Sequence, residues 1–342
     1  MFELNLFGEN KVFEKLSQIG DPLEKLVGLV DWQLFRPVLN RLLVKSVKGP
    51  GGRPPYDYLL MFKILILQRY YNLSDDQAEY AILDRLSFRR FLGISEYTTA
   101  IPDAKTIWLF KDTLSKANGY QELFTTLEKE LEAQDIITHE GTMIDASFIE
   151  SPKQRNSRKE NKLIKEGHTP KGWSDAKQHQ KDTDARLTKK NNTEFFGYKN
   201  HVSVDMRSKL ILAQEVTTAS VHDSQVFESL MDDQTQVVFA DSAYLGQELP
   251  DGVRSEVMTR SVRNHPLTDK QIQLNHLRAS IRCRVEHVFA FIENSMNGST
   301  FRGTTIIRAK FNGMITSLTY NLFRIGQVKK ARIIQRQKCV QM

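Results

Sequence analysis

Three acidic residues stand in local settings suited to metal-dependent phosphoryl transfer. Asp145 lies within GTMIDASFIE, Asp241 follows the apolar run QVVFA, and Glu286 sits in the segment IRCRVEHVFAFIENSM. Carboxylate oxygens are the natural ligands of Mg2+ and Mn2+, hard cations that keep positions open for water and phosphate. Two such ions roughly 4 Å apart can stabilise both the attacking and the leaving oxygen of an in-line displacement. The protein must then hold its carboxylates rigidly, which strand ends and a packed helix do better than loops.

Each acid also has an ordinary reading. Strand alternation puts Ile144, Ala146 and Phe148 on one face and Met143, Asp145 and Ser147 on the other. A carboxylate at a strand centre costs free energy unless a cation or hydrogen bonds compensate it, so a ligand role is favoured over a strand-end turn. Asp241 stands where a buried parallel strand would end, and ligands of open α/β sheets bind beyond such ends. Taken alone it serves equally well as a helix or turn cap. Glu286 flanks an apolar stripe of Ile281, Val285, Val288 and Ile292, with Arg282 one turn earlier, and in isolation it reads as an ion-pair partner of Arg282. Glu293 is a rival ligand, but it lies about 10 Å further along a helix and cannot easily serve the same ions.

The elements that must position these acids follow from breakers, caps and periodicity. Short helices lead to the breaker-rich stretch KGPGGRPPYD. A helix from Asp57 is followed by the capping box Ser74–Gln77, a turn SFRRFLG opened by Ser87, a helix after Pro102-Asp103, and another after Gly119. Residues 1–135 therefore read as an all-α domain. After Gly141 the period becomes strand-like: 142–149 is one strand, and FFGYKNHVSVD with KLILAQEVTT form a hairpin turning at 206–208. A helix DSQVFESLMDD capped by Asp223 then leads into QVVFA. Residues 136–328 are thus an α/β domain, interrupted at 151–194 by a polar insertion with about a dozen Lys and Arg against about half as many acids. Residues 329–342 form a basic tail.

The chain has 342 residues and a formal net charge of +7, which favours a polyanionic partner such as nucleic acid. Its two cysteines, Cys283 and Cys339, are too few and too far apart for a zinc site or a disulfide framework. The N-terminal MFELNLFGENKVFEKL has no leader-like apolar region, and no segment approaches the roughly 20 apolar residues of a membrane span.

Six segments in order resemble the DDE transposases of bacterial insertion sequences, in particular the insertion-sequence-five group. They are PYDYLLMFKILILQRYYNLSDDQAEYAILDRLSFRRFLG with PDAKTIWLF, GTMIDASFIESP, DARLTKKNNTEFFGYKNHVSVD, TTASVHDSQVFESLM, VVFADSAYLG and RCRVEHVFAFIE, spread over about residues 50–325. The resemblance implies an RNase H-like mixed sheet flanked by helices, with Asp145, Asp241 and Glu286 as a catalytic triad holding two Mg2+ ions, or Mn2+ in substitution. Around the third acid, Arg282 fits the family's Tyr, Arg, Glu, Lys pattern, whereas Ala279 stands at the Tyr position and Glu293 at the Lys position. Arg284, Arg302 and Lys310 are candidates for the missing lysine's work on DNA. Arg282 is a further DNA-contact candidate, as is Lys199, which shares a strand face with His201. In the helical domain, SFRRFLG and the helix after Pro102 offer a helix-turn-helix-like pair in which Arg89 and Arg90 can meet phosphate or bases; a dimerising bundle is the equal alternative. His222 and Asp223 would support the site from behind.

The implied partners are double-stranded DNA, at element ends and target, and a second copy of the chain on DNA. The implied location is the bacterial cytoplasm, on the nucleoid, with no membrane association. A catalytically silent DNA-binding repressor and a purely hydrolytic RNase H-like nuclease are the alternative functions.

Overall fold

A computed structural model describes residues 11–43, 54–95, 98, 100–117, 119–190, 192–232, 234–263 and 265–340. Residues 1–10 of the N-terminal segment read above for a leader, most of the Gly- and Pro-rich stretch before Asp57, and the Cys339 side chain lie outside the described residues. One compact unit contains the described residues up to Thr126 together with those from Leu322 onward; the second runs from Leu127 to Asn321.

The first unit is helical: α1 (Lys11–Ile19), α2 (Pro22–Leu29), a 3-10 turn (Trp32–Phe35), α3 (Arg36–Leu43), α4 (Tyr58–Tyr70), α5 (Asp75–Asp84), α6 (Leu86–Leu92), α7 (Ala104–Lys116) and the start of α8 (Glu122–Ala133). Three of the predicted caps form. Asp57 accepts from the Leu59 and Leu60 amides, Asp103 accepts from the Thr106 amide, and Ser74 and Gln77 make a reciprocal capping box. Ser87 caps nothing, since α6 begins one residue before it, at Leu86, behind Arg85. Phe35, Leu39, Phe62, Ile64, Ile66, Phe88, Ile107 and Leu114 fill the core.

The second unit is built on a mixed sheet of β1 (Thr142–Glu150), β2 (Arg186–Lys190), β3 (Thr193–Asp205), β4 (Ile211–Thr218), β5 (Val237–Ala240) and β6 (Arg254–Ser255). β3 lies antiparallel between β1 and β4, β1 pairs in parallel with β5, and β5 pairs in parallel with β6. The core order is therefore β4-β3-β1-β5-β6, with β2 extending the start of β3. This is the RNase H-like arrangement that the resemblance implies. The predicted β3–β4 hairpin closes on Asp205, a fully buried carboxylate that accepts from the amides of Arg207 and Ser208 and from the Ser208 hydroxyl. Edge strand β4 is tied to α12 (Ile306–Val340), where the Asn321 amide bonds both the N–H and the C=O of Ile211.

Three segments differ from expectation. The helix expected at 223–233 is instead two 3-10 turns, Asp223–Val226 and Glu228–Leu230, with His222 rather than Asp223 at the N-cap. A turn long enough for one side-chain bond is all the chain needs there before Val226, Phe227 and Leu230 are buried. The polar insertion carries helices α9 (Arg158–Lys165) and α10 (Asp175–Gln180) as well as β2. It is anchored by buried Trp173, whose indole donates to Glu160, and by buried Asp182, which accepts from the Tyr198 hydroxyl at 2.8 Å. The C-terminal stretch read as a basic tail continues α12 through Val340.

Candidate active site

β1 and β5 bring two of the acids together. Thr142, Met143 and Ile144 pair in register with Val238, Phe239 and Ala240, so Asp145 and Asp241 come next on adjacent parallel strands. Asp241 ends its strand because its side chain accepts from the Ala243 amide at 2.8 Å, capping a 3-10 turn over Ser242–Tyr244. The cap and the ligand reading are compatible, since this bond uses one oxygen. Asp145 accepts from the Ala146 amide, also at 2.8 Å, through Oδ1.

The third acid stands on α11 (Asp269–Met296), a 28-residue helix opened by a Thr268–Gln271 capping box. Val285, Val288 and Ile292 are buried, as the apolar stripe predicts, and the helix packs on β1 and β5. Glu286 projects from the edge of that stripe and is largely exposed. Arg282 lies between it and the sheet: one guanidinium nitrogen donates to Asp145 Oδ2 at 2.7 Å and another reaches Glu286 Oε1 at 3.5 Å. Its Nε is buried with no hydrogen-bond partner. Among the described residues, no three His, Cys, Asp or Glu side chains converge closely enough to hold a metal ion. Asp145 and Asp241 are thus adjacent, and Glu286 is connected to Asp145 only through Arg282.

Electrostatics suit a cation site. Burial raises the Asp145 carboxyl above its ordinary value, and Asp241 pushes it further up, while the Ala146 amide, Arg282 and Lys190 oppose the shift. Hard oxygen donors gathered against repulsion are the donor set a divalent cation requires. The Arg282 guanidinium places positive charge between Asp145 and Glu286, so a divalent ion would need Arg282 to withdraw before it could sit there. Asp145 and Asp241 would be its inner ligands and Glu286 the third.

The remaining sequence candidates fall in different places. Arg89 is buried, and its guanidinium donates to the carbonyls of Ile82, Ser95 and Thr98; the expectation that it meets DNA is corrected to a role in holding the α6 region. Arg90 pairs with Asp21 and Glu24 and lies over the Phe13 ring. Lys199 donates to Asp223 and to the Val221 carbonyl, and His201 beside it is fully buried and bonded to Thr217. Burial lowers the His201 pKa to about 4 against the pull of Asp223. His222 is exposed and bonds Ser224. Arg284 donates to the Met206 carbonyl, Lys310 pairs with Glu215, and Arg302 is exposed.

Sequence reasoning missed two features here. Arg282 was legible as an i, i+4 partner of Glu286, but its bond to Asp145 spans 137 positions. Tyr244, three residues after Asp241, is buried with no hydrogen-bond partner for its hydroxyl; burial first, then Asp223, Asp145 and Asp241, hold that hydroxyl protonated. Its only signal in the sequence was an aromatic residue with a polar tip directly after a candidate ligand.

Residues 137–322 match a family model described as Transposase DDE domain, and residues 11–113 match a second described as Transposase domain (DUF772). Among solved structures, a cryo-EM structure of a piggyBac transposase synaptic complex with hairpin DNA is similar at 11% identity, with 92% of this chain and 76% of that chain covered and a TM-score of 0.44.

Proposed function

This chain belongs to the transposase DDE domain family, and we propose that it binds the terminal inverted repeats of an insertion sequence and catalyses metal-dependent DNA cleavage and strand transfer. The observation that carries the proposal is the parallel β1–β5 pairing, which sets Asp145 beside Asp241 beneath the helix bearing Glu286. Two bound Mg2+ ions, or Mn2+, would supply Lewis-acid stabilisation to the attacking and leaving oxygens.

The chain's own contribution is placement. Asp145 and Asp241 hold their carboxylates on a rigid sheet, and Arg282, freed from Asp145, is positioned to meet a phosphate. Water first displaces the 3′-oxygen from phosphorus at the element's end, and the freed 3′-hydroxyl then displaces an oxygen at a target phosphate. Both are in-line transfers, so no covalent protein intermediate is required. The basic insertion and the exposed Arg284 and Arg302 supply sequence-independent affinity by counterion release, which makes binding fall steeply with salt. A homodimer on DNA would join two ends. It is supported by Tyr80 and Leu83 on α5 and Trp108 and Leu109 on α7, large apolar residues left exposed on two helices that pack together.

Single changes Asp145→Asn, Asp241→Asn and Glu286→Gln should each abolish Mg2+-dependent cleavage of end DNA while leaving end binding intact. Strand transfer retained in any of the three removes that residue from the triad. Nicking by the unaltered protein excludes a silent repressor, and labelled ends joined covalently to a target plasmid exclude a purely hydrolytic nuclease.

A further inference from the structure

A second group of side chains lies on the opposite face of β1 from Asp145. Phe148, three residues further along the strand, stacks on Phe195 with ring centroids 4.1 Å apart and planes within 5°. Lys199 is the cross-strand partner of Phe148, and its Nζ lies 5.6 Å from the ring centroid. From β2, Lys190 Nζ lies 5.8 Å from the same centroid. Phe195 reaches Phe148 from the β2–β3 hairpin, past Gly197, where the backbone takes a φ of +147° and an added Cβ would lie 2.2 Å from the Ile149 carbonyl oxygen.

Both rings are only half-buried, and Lys190 is exposed. Lys199 is committed to Asp223, whereas Lys190 makes no ion pair among the described residues. A half-open aromatic pair with an unpaired cation at its rim matches the two faces of a nucleotide, a π surface and a phosphate. A base within a duplex has no free face to offer, so only an unpaired one can use the pair.

We propose that Phe148, Phe195 and Lys190 form a platform that takes one unpaired nucleotide of a DNA strand on the sheet face opposite Asp145, its base against the rings and its phosphate at Lys190. The proposal rests on the reading of this protein as acting on DNA, but its test needs no catalysis. The full chain is titrated, in EDTA, against labelled oligothymidine and against a blunt duplex of the same length. Phe195→Leu, which keeps apolar bulk and removes the π face, should weaken oligothymidine binding roughly ten-fold, with little effect on the duplex, and Phe195→Trp should retain it. Lys190 is exposed, so Lys190→Ala leaves folding intact; it should weaken single-strand binding several-fold and lower its salt dependence. Unchanged oligothymidine binding in Phe195→Leu or Lys190→Ala, or equal losses on both probes, overturns the platform. A flat variant series in a protein that still cleaves DNA refutes the platform alone, and a responsive series in a protein that never cleaves refutes the transposase reading alone.

Discussion

Replacing Arg282 by Met tests whether a guanidinium stands in for metal charge. The substitution keeps most of the apolar stem and removes the cation bonded to Asp145 at 2.7 Å, in a pair whose side chains are 21% and 20% exposed. An exposed ion pair would be worth at most about 1 kcal/mol, whereas removing one partner of a buried pair costs about 3–5 kcal/mol. Partial exposure puts this pair between those limits, at roughly 2–3 kcal/mol. Asp145 is left facing Asp241 with only its backbone bond and the more distant Lys190 in compensation. For a domain of this size the loss should lower the unfolding midpoint by roughly 4–12 °C in metal-free buffer.

Divalent metal should then stabilise the variant more than the parent. In the parent, Mg2+ must compete with Arg282 for Asp145; in the variant the carboxylates are open. Stabilisation by a ligand follows RT ln(1 + [L]/Kd), about 2.7 kcal/mol at a hundred-fold excess over Kd, enough to restore most of the loss. Thermal unfolding with EDTA and with saturating Mg2+, together with calorimetric Mg2+ titration, reads both effects. A variant as stable as the parent in EDTA, or one that gains no more from Mg2+ than the parent does, would refute the reasoning.

Other perturbations have equally definite outcomes. Gly197→Ala should destabilise the second unit severely, because the new Cβ meets backbone at Ile149 and Ser151 rather than a movable side chain; loss of soluble protein or a large drop in urea midpoint checks it. Glu128 has its pKa pushed up to about 8, first by burial and then by Glu132 and Asp232. A carboxyl with a raised folded pKa contributes stability that is full below its ordinary value of 4.5 and lost as pH rises through about 8. Glu128→Gln should therefore flatten the decline in urea midpoint over that window, and an unchanged pH profile would contradict the assignment. Trp108→Glu, on the exposed apolar surface of α7, should weaken self-association in sedimentation measurements without lowering helix content; an unaltered association constant would move the dimer contact elsewhere.

The sequence by itself determined the helix caps at Asp57, Ser74 and Asp103, the strand alternation around Asp145, the apolar stripe of α11 and the β3–β4 hairpin. These depend on residues within a turn or two of one another: Ser74 needs Gln77, and Asp205 needs Ser208. It was less informative about the insertion, whose order comes from Trp173 on Glu160 and Tyr198 on Asp182, partners 13 and 16 positions apart. The fates of Arg89 and Arg90 could not be read from SFRRFLG, because burial is a property of what packs above a helix. Tertiary structure alone decided that Asp145 lies beside Asp241, that Arg282 bridges from Glu286 to Asp145, and that Phe195 stacks on Phe148. Local sequence fixes which way a side chain leaves its own strand or helix, but the charge it faces belongs to a distant segment and is chosen only when the sheet assembles.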